Sequence, residues 1–258
     1  MSKKIAYIPL EQIRKLAVVF GNGRSLQEVK AHTGADYVCN GGFYNANTPV
    51  CHLKVDGTVY ASANWMDWGY AWNDGKDLVF CLLPVNTVAS YISALALIAP
   101  GVSGLSYRSE IGGKRARTAI GVVNGKLILY CCSSGNACSP EQLRAELLSL
   151  GCTSALMLDG GGSSQCDFAG SRIVSSRRVN NYICVWHNKA SKPIGRYMVK
   201  TGGSTLNIRA TPSIVGRKLG YYRDGQIISV YEIKGKWART MDGWCHTNYI
   251  FQKKTLEE

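Results

Sequence analysis

Short apolar runs that end in glycine or in an asparagine–glycine pair recur along residues 1–188. Runs of about four to eight apolar residues bounded by turn signals are typical of buried strands. Strands are therefore predicted at residues 15–20, 36–39, 78–83, 117–123, 126–131, 155–158 and 182–186. Asn124-Gly125 predicts the strongest hairpin, because this pair suits a type I′ turn, and Asp56-Gly57 predicts another. The run over 88–99, which Pro100 closes, predicts a further core element.

Two helix starts stand out against this strand pattern. Ser25 is followed three residues later by Glu28, which is a capping-box signal. Ser139 and Pro140 suit the N-cap and the first position of a second helix, which Gly151 ends. Together these elements predict an α+β fold for residues 1–188, in which flanking helices cover a mixed or antiparallel sheet.

The pattern changes near residue 189. Residues 189–195 are polar and contain Pro193 and Gly195, which favours a linker. From residue 196 to 252, short strand-like runs recur with turn signals such as Asp224-Gly225 between them, a spacing typical of small all-β folds. The predicted domains are therefore 1–188, the linker 189–195, and a small SH3-like β-barrel over 196–252.

Composition narrows the class of protein. The chain is 46% hydrophobic and 18% charged, as in soluble globular proteins, and its longest apolar run is too short for a membrane span. The N-terminal residues lack the pattern of a secretion signal, so synthesis in the cytoplasm is expected. Ten cysteines without such a signal are expected to be reduced core thiols. The chain has no CxxC pair, and no motif calls for a metal or a cofactor.

Positive charge is concentrated in the last quarter of the chain. The net charge is +13, and residues 189–258 hold 13 Lys and Arg against 5 Asp and Glu. Such a patch favours an anionic partner such as nucleic acid, an acidic membrane surface or a phosphate-bearing wall polymer. A solvated surface explains the charge equally well. Because no nucleic-acid motif accompanies it, nucleic acid is the weakest of these partners.

The most informative stretch is residues 156–164, LMLDGGGSS. Asp159 follows a predicted buried strand, and three glycines and two serines follow it directly. Glycines let backbone N–H groups approach a ligand closely, and concave arrays of such groups bind anions. The stretch therefore predicts an acid beside a phosphate site, although a plain hairpin turn capped by Asp159 fits the same residues.

A second polar residue stands in the same kind of place. Asn40 ends a predicted strand and is followed by Gly41 and Gly42. Arg117 stands at the mouth of the strongest hairpin, where it either binds a ligand or pairs with an acid. Asn40 either binds a ligand or caps its own turn.

These motifs together resemble the phosphodiester glycosidase family. The resemblance rests on residues 40–43, 117–121, 151–164 and 177–185, in the family's order, and covers roughly residues 10–187. The family includes the lysosomal "uncovering enzyme", which removes N-acetylglucosamine from a sugar-1-phosphodiester. Ser176-Arg177-Arg178-Val179 stands where the family usually has Glu-Arg-Pro-Val, while Asn181 keeps its expected position.

The resemblance implies a hydrolase acting on glycosyl-1-phosphodiesters. A phosphate ester leaves easily, so electrostatic clamping of the phosphate should dominate catalysis. Arg117 and Arg177 are expected to bind that phosphate, and Arg178 to face solvent, since strand neighbours point to opposite faces. Asp159 is expected to act as nucleophile, as base or as the carboxylate facing the developing positive sugar, and Asn40 to orient the sugar. The catalytic candidates are Asp159, Asn40 and Arg117, and the phosphate- or sugar-binding candidates are Gly41, Gly42, Gly160, Gly161, Gly162, Ser163, Ser164, Arg177 and Asn181.

The C-terminal residues resemble a bacterial SH3 domain, on the pattern of residues 197–199, 206–213, 237–239 and 243–245. The resemblance implies a module that holds an enzyme on peptidoglycan or an anionic wall polymer. Some of its aromatic residues must fill the core and others are free to form a ligand groove: Tyr221, Tyr222, Trp237, Trp244 and Tyr249.

Two other functions remain open at this level. Cys39 paired with His52 or His187 would make a cysteine-nucleophile peptidoglycan hydrolase. A wall-binding protein without catalysis would need no nucleophile at all. The favoured reading is a wall-directed hydrolase that resembles a phage lysin and acts outside the cell after lysis.

Overall fold

A computed structural model of the chain describes residues 2–63, 65–73, 77–187, 193–240 and 242–252. It divides into two compact units, Met1–Asn188 and Lys189–Glu258. Most of the predicted linker, residues 189–192, lies outside the described residues.

The N-terminal unit consists mainly of strands. Its elements, in chain order, are β1 Lys3–Pro9, β2 Ile13–Phe20, α1 Leu26–Thr33, β3 Tyr37–Asn40, β4 Tyr44–Asn45, β5 Thr48–Pro49, β6 Leu53–Val55, β7 Thr58–Ala61, β8 Trp68–Trp72, β9 Val79–Leu82, β10 Ser90–Ser93, β11 Leu95–Ile98, β12 Arg117–Val123, β13 Lys126–Cys132, α2 Pro140–Ser149, β14 Ser154–Met157, β15 Cys166–Phe168, β16 Ser171–Ile173 and β17 Asn181–His187.

Among the described residues, three five-stranded sheets and the two-stranded sheet β4-β5 build this unit. The larger sheets have the strand orders β1-β13-β12-β14-β11, β7-β6-β10-β8-β9 and β16-β15-β3-β17-β2. Within the described residues every one of their strand pairs is antiparallel. The predicted α+β class is therefore wrong. Both predicted helices form, but they are short and are the only α-helices among the described residues, so antiparallel sheets dominate the fold.

Local sequence signals explain the connections. Asn124 and Gly125 both have positive φ angles, of 46° and 72°, as a type I′ hairpin between β12 and β13 requires. Ser25 and Glu28 form the predicted capping box on α1. The run over 88–99 is not one element. It forms β10 and β11, which belong to different sheets.

The stretch after β14 links two sheets. β14 lies beside β12 in the first sheet, and β15, which follows it, lies beside β3 in the third. The connecting residues 158–165 therefore run from one sheet to the other. Asp159 N–H donates to the carbonyl of Gly41 (3.1 Å), and Asn40 N–H donates to that of Gln165 (3.2 Å), so the end of β3 is tied to this connection.

The C-terminal unit contains strands β18 Gly195–Val199, β19 Thr205–Arg209, β20 Lys218–Arg223, β21 Ile227–Val230, β22 Glu232–Lys234, β23 Trp237–Arg239, β24 Trp244–His246 and β25 Ile250–Gln252. They form a sheet of order β21-β18-β25 and another of order β20-β19-β24-β23-β22. The predicted small SH3-like β-barrel is wrong for the described residues, because their hydrogen bonds form two separate sheets and no closed barrel. Tyr222 belongs to the small core, whereas Trp237 and Tyr249 do not.

None of the described helices has the length and apolar character needed to cross a membrane.

Candidate active site

Asn40 is the fixed point of the candidate site. Its side chain is fully buried. The amide nitrogen donates to the carbonyls of Asp159 (2.7 Å) and Gly41 (3.4 Å), and the amide oxygen accepts from Thr118 Oγ1 (2.7 Å) and from Gln165 N–H (3.2 Å). Both ends of the amide are therefore engaged by the protein, and Asn40 holds three segments together.

Asp159 presents the carboxylate of the site. It is half-buried, and its Oδ1 accepts the N–H of Gly160 at 2.9 Å. Burial raises the pKa of Asp159 above its ordinary value, and hydrogen bonds from Ser163 and Gly160 together with the charge of Arg177 oppose that rise. A carboxylate whose pKa is shifted by desolvation next to a specific cation is typical of functional sites.

The glycine turn leaves one backbone donor for a ligand. Gly160 N–H donates to Asp159, and Gly161 N–H donates to the carbonyl of Ala116 (2.8 Å). Gly162 is exposed, and its N–H has no acceptor among the described residues. Of the three glycine N–H groups expected to cradle a phosphate, only that of Gly162 is therefore available.

The two serines after the glycines differ in their partners. The Ser163 hydroxyl is buried, donates to Asp159 and accepts from Arg177 Nη1 at 3.3 Å. The Ser164 side chain is also buried, but its hydroxyl has no hydrogen-bond partner among the described residues. Ser163 thus connects the acid with the arginine.

Arg177 lies over the glycine turn. It is exposed, and a Cβ atom added to Gly162 would lie 3.0 Å from its Nη2. Its backbone is held by Ser175 Oγ, which accepts its N–H (3.0 Å), and by Gln165 Nε2, which donates to its carbonyl (2.9 Å). No carboxylate forms an ion pair with it among the described residues. Its guanidinium is therefore open to an anion beside Asp159.

Arg178 is directed elsewhere. It is exposed, and its Nη1 donates to the carbonyl of Gly23 at 2.7 Å. The two adjacent arginines therefore have different partners.

Arg117 is buried in a cage of carbonyls. It is only 1% exposed, and its guanidinium donates to the carbonyls of Cys138 (3.0 Å), Ile111 (2.9 Å), Gly112 (3.3 Å) and Gly113 (2.5 Å). Burial lowers the pKa of Arg117. A Cβ atom on Gly160 would lie 3.3 Å from its Nη1. Arg117 thus lies beside the glycine turn, but three of its hydrogen bonds already hold the 111–113 loop and a fourth holds Cys138.

Asn181 supports the Asn40 turn from the third sheet. It is buried, and its Oδ1 accepts the N–H of Gly42 at 2.8 Å. A Cβ atom on Gly41 would lie 1.9 Å from that oxygen, so only glycine fits there. Gly41 and Gly42 therefore shape the turn that accepts Asp159 N–H.

The cysteine-nucleophile arrangement finds no support in the geometry. Cys39 is fully buried, and burial raises the pKa of its thiol well above the ordinary value. His52 contacts Asp67, and His187 contacts Gln12, so neither histidine faces Cys39. No cluster of three or more metal-ligating side chains exists among the described residues.

Comparison with known families gives this arrangement a context. The family model described as "Phosphodiester glycosidase" matches residues 33–186. That stretch covers more than half of the chain. The chain belongs to the phosphodiester glycosidase family. All the candidate residues from Asn40 to Asn181 lie in the matched stretch, and the C-terminal unit lies outside it.

Solved structures share the fold of this chain. The catalytic domain of zebrafish N-acetylglucosamine-1-phosphodiester alpha-N-acetylglucosaminidase, auto-inhibited by its pro-peptide, is 20% identical with a TM-score of 0.56, and the match covers 72% of this chain and 83% of that one. A hypothetical protein from Synechocystis is 16% identical with a TM-score of 0.55, covering 72% of this chain and 59% of that one. A protein from Burkholderia pseudomallei is 13% identical with a TM-score of 0.55, covering 71% and 73%. No curated protein matched the sequence significantly.

Three residues of the site lie outside the sequence prediction: Thr118, Gln165 and Ser175. Thr118 and Gln165 bind the Asn40 side chain and backbone. Ser175 Oγ donates to the carbonyl of Gly162 at 2.6 Å and so orders the turn. Thr118 lies inside the 117–121 motif and Gln165 directly follows the 151–164 motif, and these positions are the only sequence signal that points to them.

Proposed function

We propose that this protein hydrolyses glycosyl-1-phosphodiesters of the N-acetylglucosamine-1-phosphate type. The observation that carries the proposal is the juxtaposition of a desolvated carboxylate, Asp159, with the exposed guanidinium of Arg177, which forms no ion pair among the described residues. Both residues lie inside the stretch that the family model matches. The substrate presents the complementary pair of groups, an anomeric carbon that gains positive charge and a departing phosphate that gains negative charge.

Arg177 and Gly162 form the proposed phosphate site. Among the described residues, the guanidinium has N–H groups left after its one side-chain hydrogen bond to Ser163, and the Gly162 N–H beside it has no acceptor. Charge-assisted hydrogen bonds from arginine to phosphate are among the strongest in proteins. Because these donors face the leaving group, they stabilise the negative charge that grows as the bond breaks.

Asp159 carries the proposed chemistry at the sugar. In its ionised form it either attacks the anomeric carbon, removes a proton from the attacking water or stabilises the positive sugar. Ser163 donates to this carboxylate while accepting from Arg177, so the acid and the phosphate site are held in one hydrogen-bonded chain.

Asn40 and Arg117 have supporting roles in this proposal. Asn40 fixes the backbone of Asp159 through the 2.7 Å bond to its carbonyl. Arg117 holds the loop 111–113 beside the glycine turn, and a direct contact with phosphate would require some of its carbonyl bonds to break. Both are positioning residues here, and the substrate contacts fall to Asp159, Arg177 and Gly162.

The proposal extends to where the enzyme works. The basic residues of 189–258, 13 Lys and Arg against 5 Asp and Glu, support association with an anionic surface polymer that contains the substrate bond. The protein would then act on a cell-wall or surface glycopolymer after release from the cell that made it. The proposal includes a binding site for such a polymer in the C-terminal unit, as its resemblance to bacterial SH3 domains implies.

One experiment tests the reaction directly. The purified chain is incubated in H₂¹⁸O with the methyl phosphodiester of N-acetylglucosamine 1-phosphate, and the products are identified by mass spectrometry. Glycosidic cleavage breaks the C1–O bond and yields N-acetylglucosamine with unlabelled methyl phosphate. Label in the methyl phosphate would show attack at phosphorus and refute the glycosidase assignment.

A matched set of variants locates the reaction in this site. Asp159→Asn should lower turnover by about 10²–10⁴-fold with the fold intact, whereas pretreatment with a thiol alkylating agent should leave turnover unchanged. Substantial activity in Asp159→Asn would exclude Asp159 as the reacting carboxylate. A wild-type chain that binds glycopolymer but releases neither sugar nor phosphate would instead favour a binding protein.

A further inference from the structure

A groove of about 630 Å³ lies within the C-terminal unit. It opens where β19 and β24 separate. These two strands pair only at Arg209 and Trp244, and no pairing follows at Asn207 and His246 further along. Side chains from both strands therefore line the groove without closing it.

One wall of the groove is aromatic. The ring centroids of Trp237 and His246 are 5.3 Å apart at 72°, and those of His246 and Tyr249 are 6.0 Å apart at 61°. His246 Nδ1 accepts the N–H of Asn248 at 3.3 Å, which fixes the central ring. None of these three rings belongs to the core of the unit, and Tyr249 is 48% exposed. They are therefore preorganised aromatic faces rather than core packing.

The remaining walls supply hydrogen-bonding groups that the protein does not use. The side chains of Thr205, Asn207 and Asn248 line the groove and have no hydrogen bond with any described residue, and neither does the indole N–H of Trp237. Planar amides and hydroxyls beside aromatic faces are the groups that orient polar ligands in pockets.

The charges of the side chains that line the groove narrow the class of ligand further. Within the part of the unit that the structure describes, Arg209 is the only permanently charged side chain that lines the groove, and its Nη1 donates to the carbonyl of Gly216 at 2.9 Å. Asp224 contacts Thr201 at one end, but its carboxylate accepts the N–H groups of Thr201 and Gly203. One cation suits a single anionic substituent. It does not suit a nucleic-acid strand, which requires a basic track along successive phosphates.

We infer that this groove binds a sugar unit of an anionic glycopolymer, with the sugar ring against Trp237 and Tyr249 and its phosphate at Arg209. The apolar C–H face of a sugar ring covers an aromatic face, while its hydroxyls and acetamido group match Asn207 and Asn248. This inference rests on the proposed association with a surface polymer and gives that association a defined site, separate from the Asp159 reaction.

Binding is measured by isothermal titration calorimetry on the full chain carrying Asp159→Asn, so that no ligand is consumed. The probe is a ribitol-phosphate polymer substituted with N-acetylglucosamine. Trp237→Ala, Tyr249→Ala and Arg209→Gln should each raise Kd at least tenfold, equal to about 1.4 kcal/mol. Two controls outside the groove should change Kd less than twofold: the exposed Tyr221→Ala and the exposed Arg217→Gln.

The outcomes separate the two proposals. The Tyr249 ring is half-exposed, so Tyr249→Ala should fold even if Trp237→Ala does not. An unchanged Kd for Tyr249→Ala would refute the proposed ligand site in the groove. Equal losses in Arg209→Gln and Arg217→Gln show diffuse charge attraction and also overturn it. Groove-dependent binding of a single-stranded oligonucleotide or a wall peptide in place of the polymer refutes the ligand class. Hydrolysis by the wild-type chain without any polymer binding refutes the groove alone, whereas binding without hydrolysis refutes the catalytic proposal alone.

Discussion

Arg177→Gln is the sharpest test of the phosphate site, because an almost identical control stands next to it. The wild-type guanidinium lies over Gly162 and touches Ser163, whereas that of Arg178 reaches away to the carbonyl of Gly23. Both side chains are exposed, and both variants remove one positive charge. Any difference in activity between Arg177→Gln and Arg178→Gln therefore reports position and not net charge.

The size of the effect follows from the contacts. A hydrogen bond to a charged group contributes about 1.5–3 kcal/mol, and each 1.36 kcal/mol changes a rate about tenfold. Arg177 has one side-chain hydrogen bond in the free enzyme and is exposed, so loss of one phosphate contact should lower kcat/KM by about 10- to 150-fold. Because no buried partner loses its only hydrogen bond, the melting temperature should stay within about 2 °C of wild type.

The assay is release of N-acetylglucosamine from the methyl phosphodiester at substrate concentrations well below KM, with the melting temperature of each variant measured in the same buffer. Arg178→Gln should retain kcat/KM within about twofold, as surface changes away from a site usually do. Equal activity of the two variants would refute the phosphate role of Arg177. A large drop in melting temperature for Arg177→Gln alone would assign it a structural role.

Three further predictions concern Asp159, Gly41 and Asp167. Asp159→Asn should lower kcat by about 10²–10⁴-fold. Because burial raises the pKa of Asp159, ionising this carboxyl lowers the free energy of unfolding as pH rises from the ordinary pKa of 3.8 through the raised pKa, so the variant should melt no lower than wild type at pH 7. For the same reason, wild-type activity should fall in acid at a higher pH than the pKa of an ordinary aspartate would give. Gly41→Ala should cost about 1–3 kcal/mol because its Cβ meets Asn181, whereas Gly104→Ala, which meets nothing within 4 Å, should not change the free energy of unfolding in urea. Burial raises the carboxyl pKa of Asp167, but hydrogen bonds from Lys30, Gly170 and Arg172 hold it below the ordinary value. Asp167→Asn should therefore lower the free energy of unfolding by about 1–3 kcal/mol at pH 7. The difference in free energy of unfolding between variant and wild type should vanish as pH falls through that lowered pKa. A difference that persists in strong acid would contradict the last prediction.

Local signals predicted the connections of the fold better than its class. The Asn124-Gly125 hairpin, the capping box at Ser25 and the N-cap at Ser139 formed as expected, because each depends on backbone angles and hydrogen bonds within a few residues. The α+β class was wrong because two good helix starts do not reveal how little helix follows them. Residues 78–83, expected to be a buried strand, form the edge strand β9 with Val79 and Leu82 more than half exposed, since an apolar run does not show which neighbours will cover it.

The sequence by itself located the candidate residues along the chain. Asn40 and Asp159 each stand at the end of a short apolar run, and the glycines beside them mark where the backbone can approach a ligand closely. That these turns belong to one site was implied by the resemblance to the phosphodiester glycosidase motifs, because local pattern does not show which strand ends lie side by side.

Only the tertiary structure decided what each of those residues has left to offer a ligand. Arg117 and Arg177 are the same residue type in two equally prominent motifs, yet the carbonyls of residues 111–113 and 138 enclose the first and leave the second open. The Asn40 amide is likewise filled by Thr118, Gln165, Gly41 and Asp159. The availability of a donor depends on partners that are far away in the chain, and long-range packing alone brings those partners into contact.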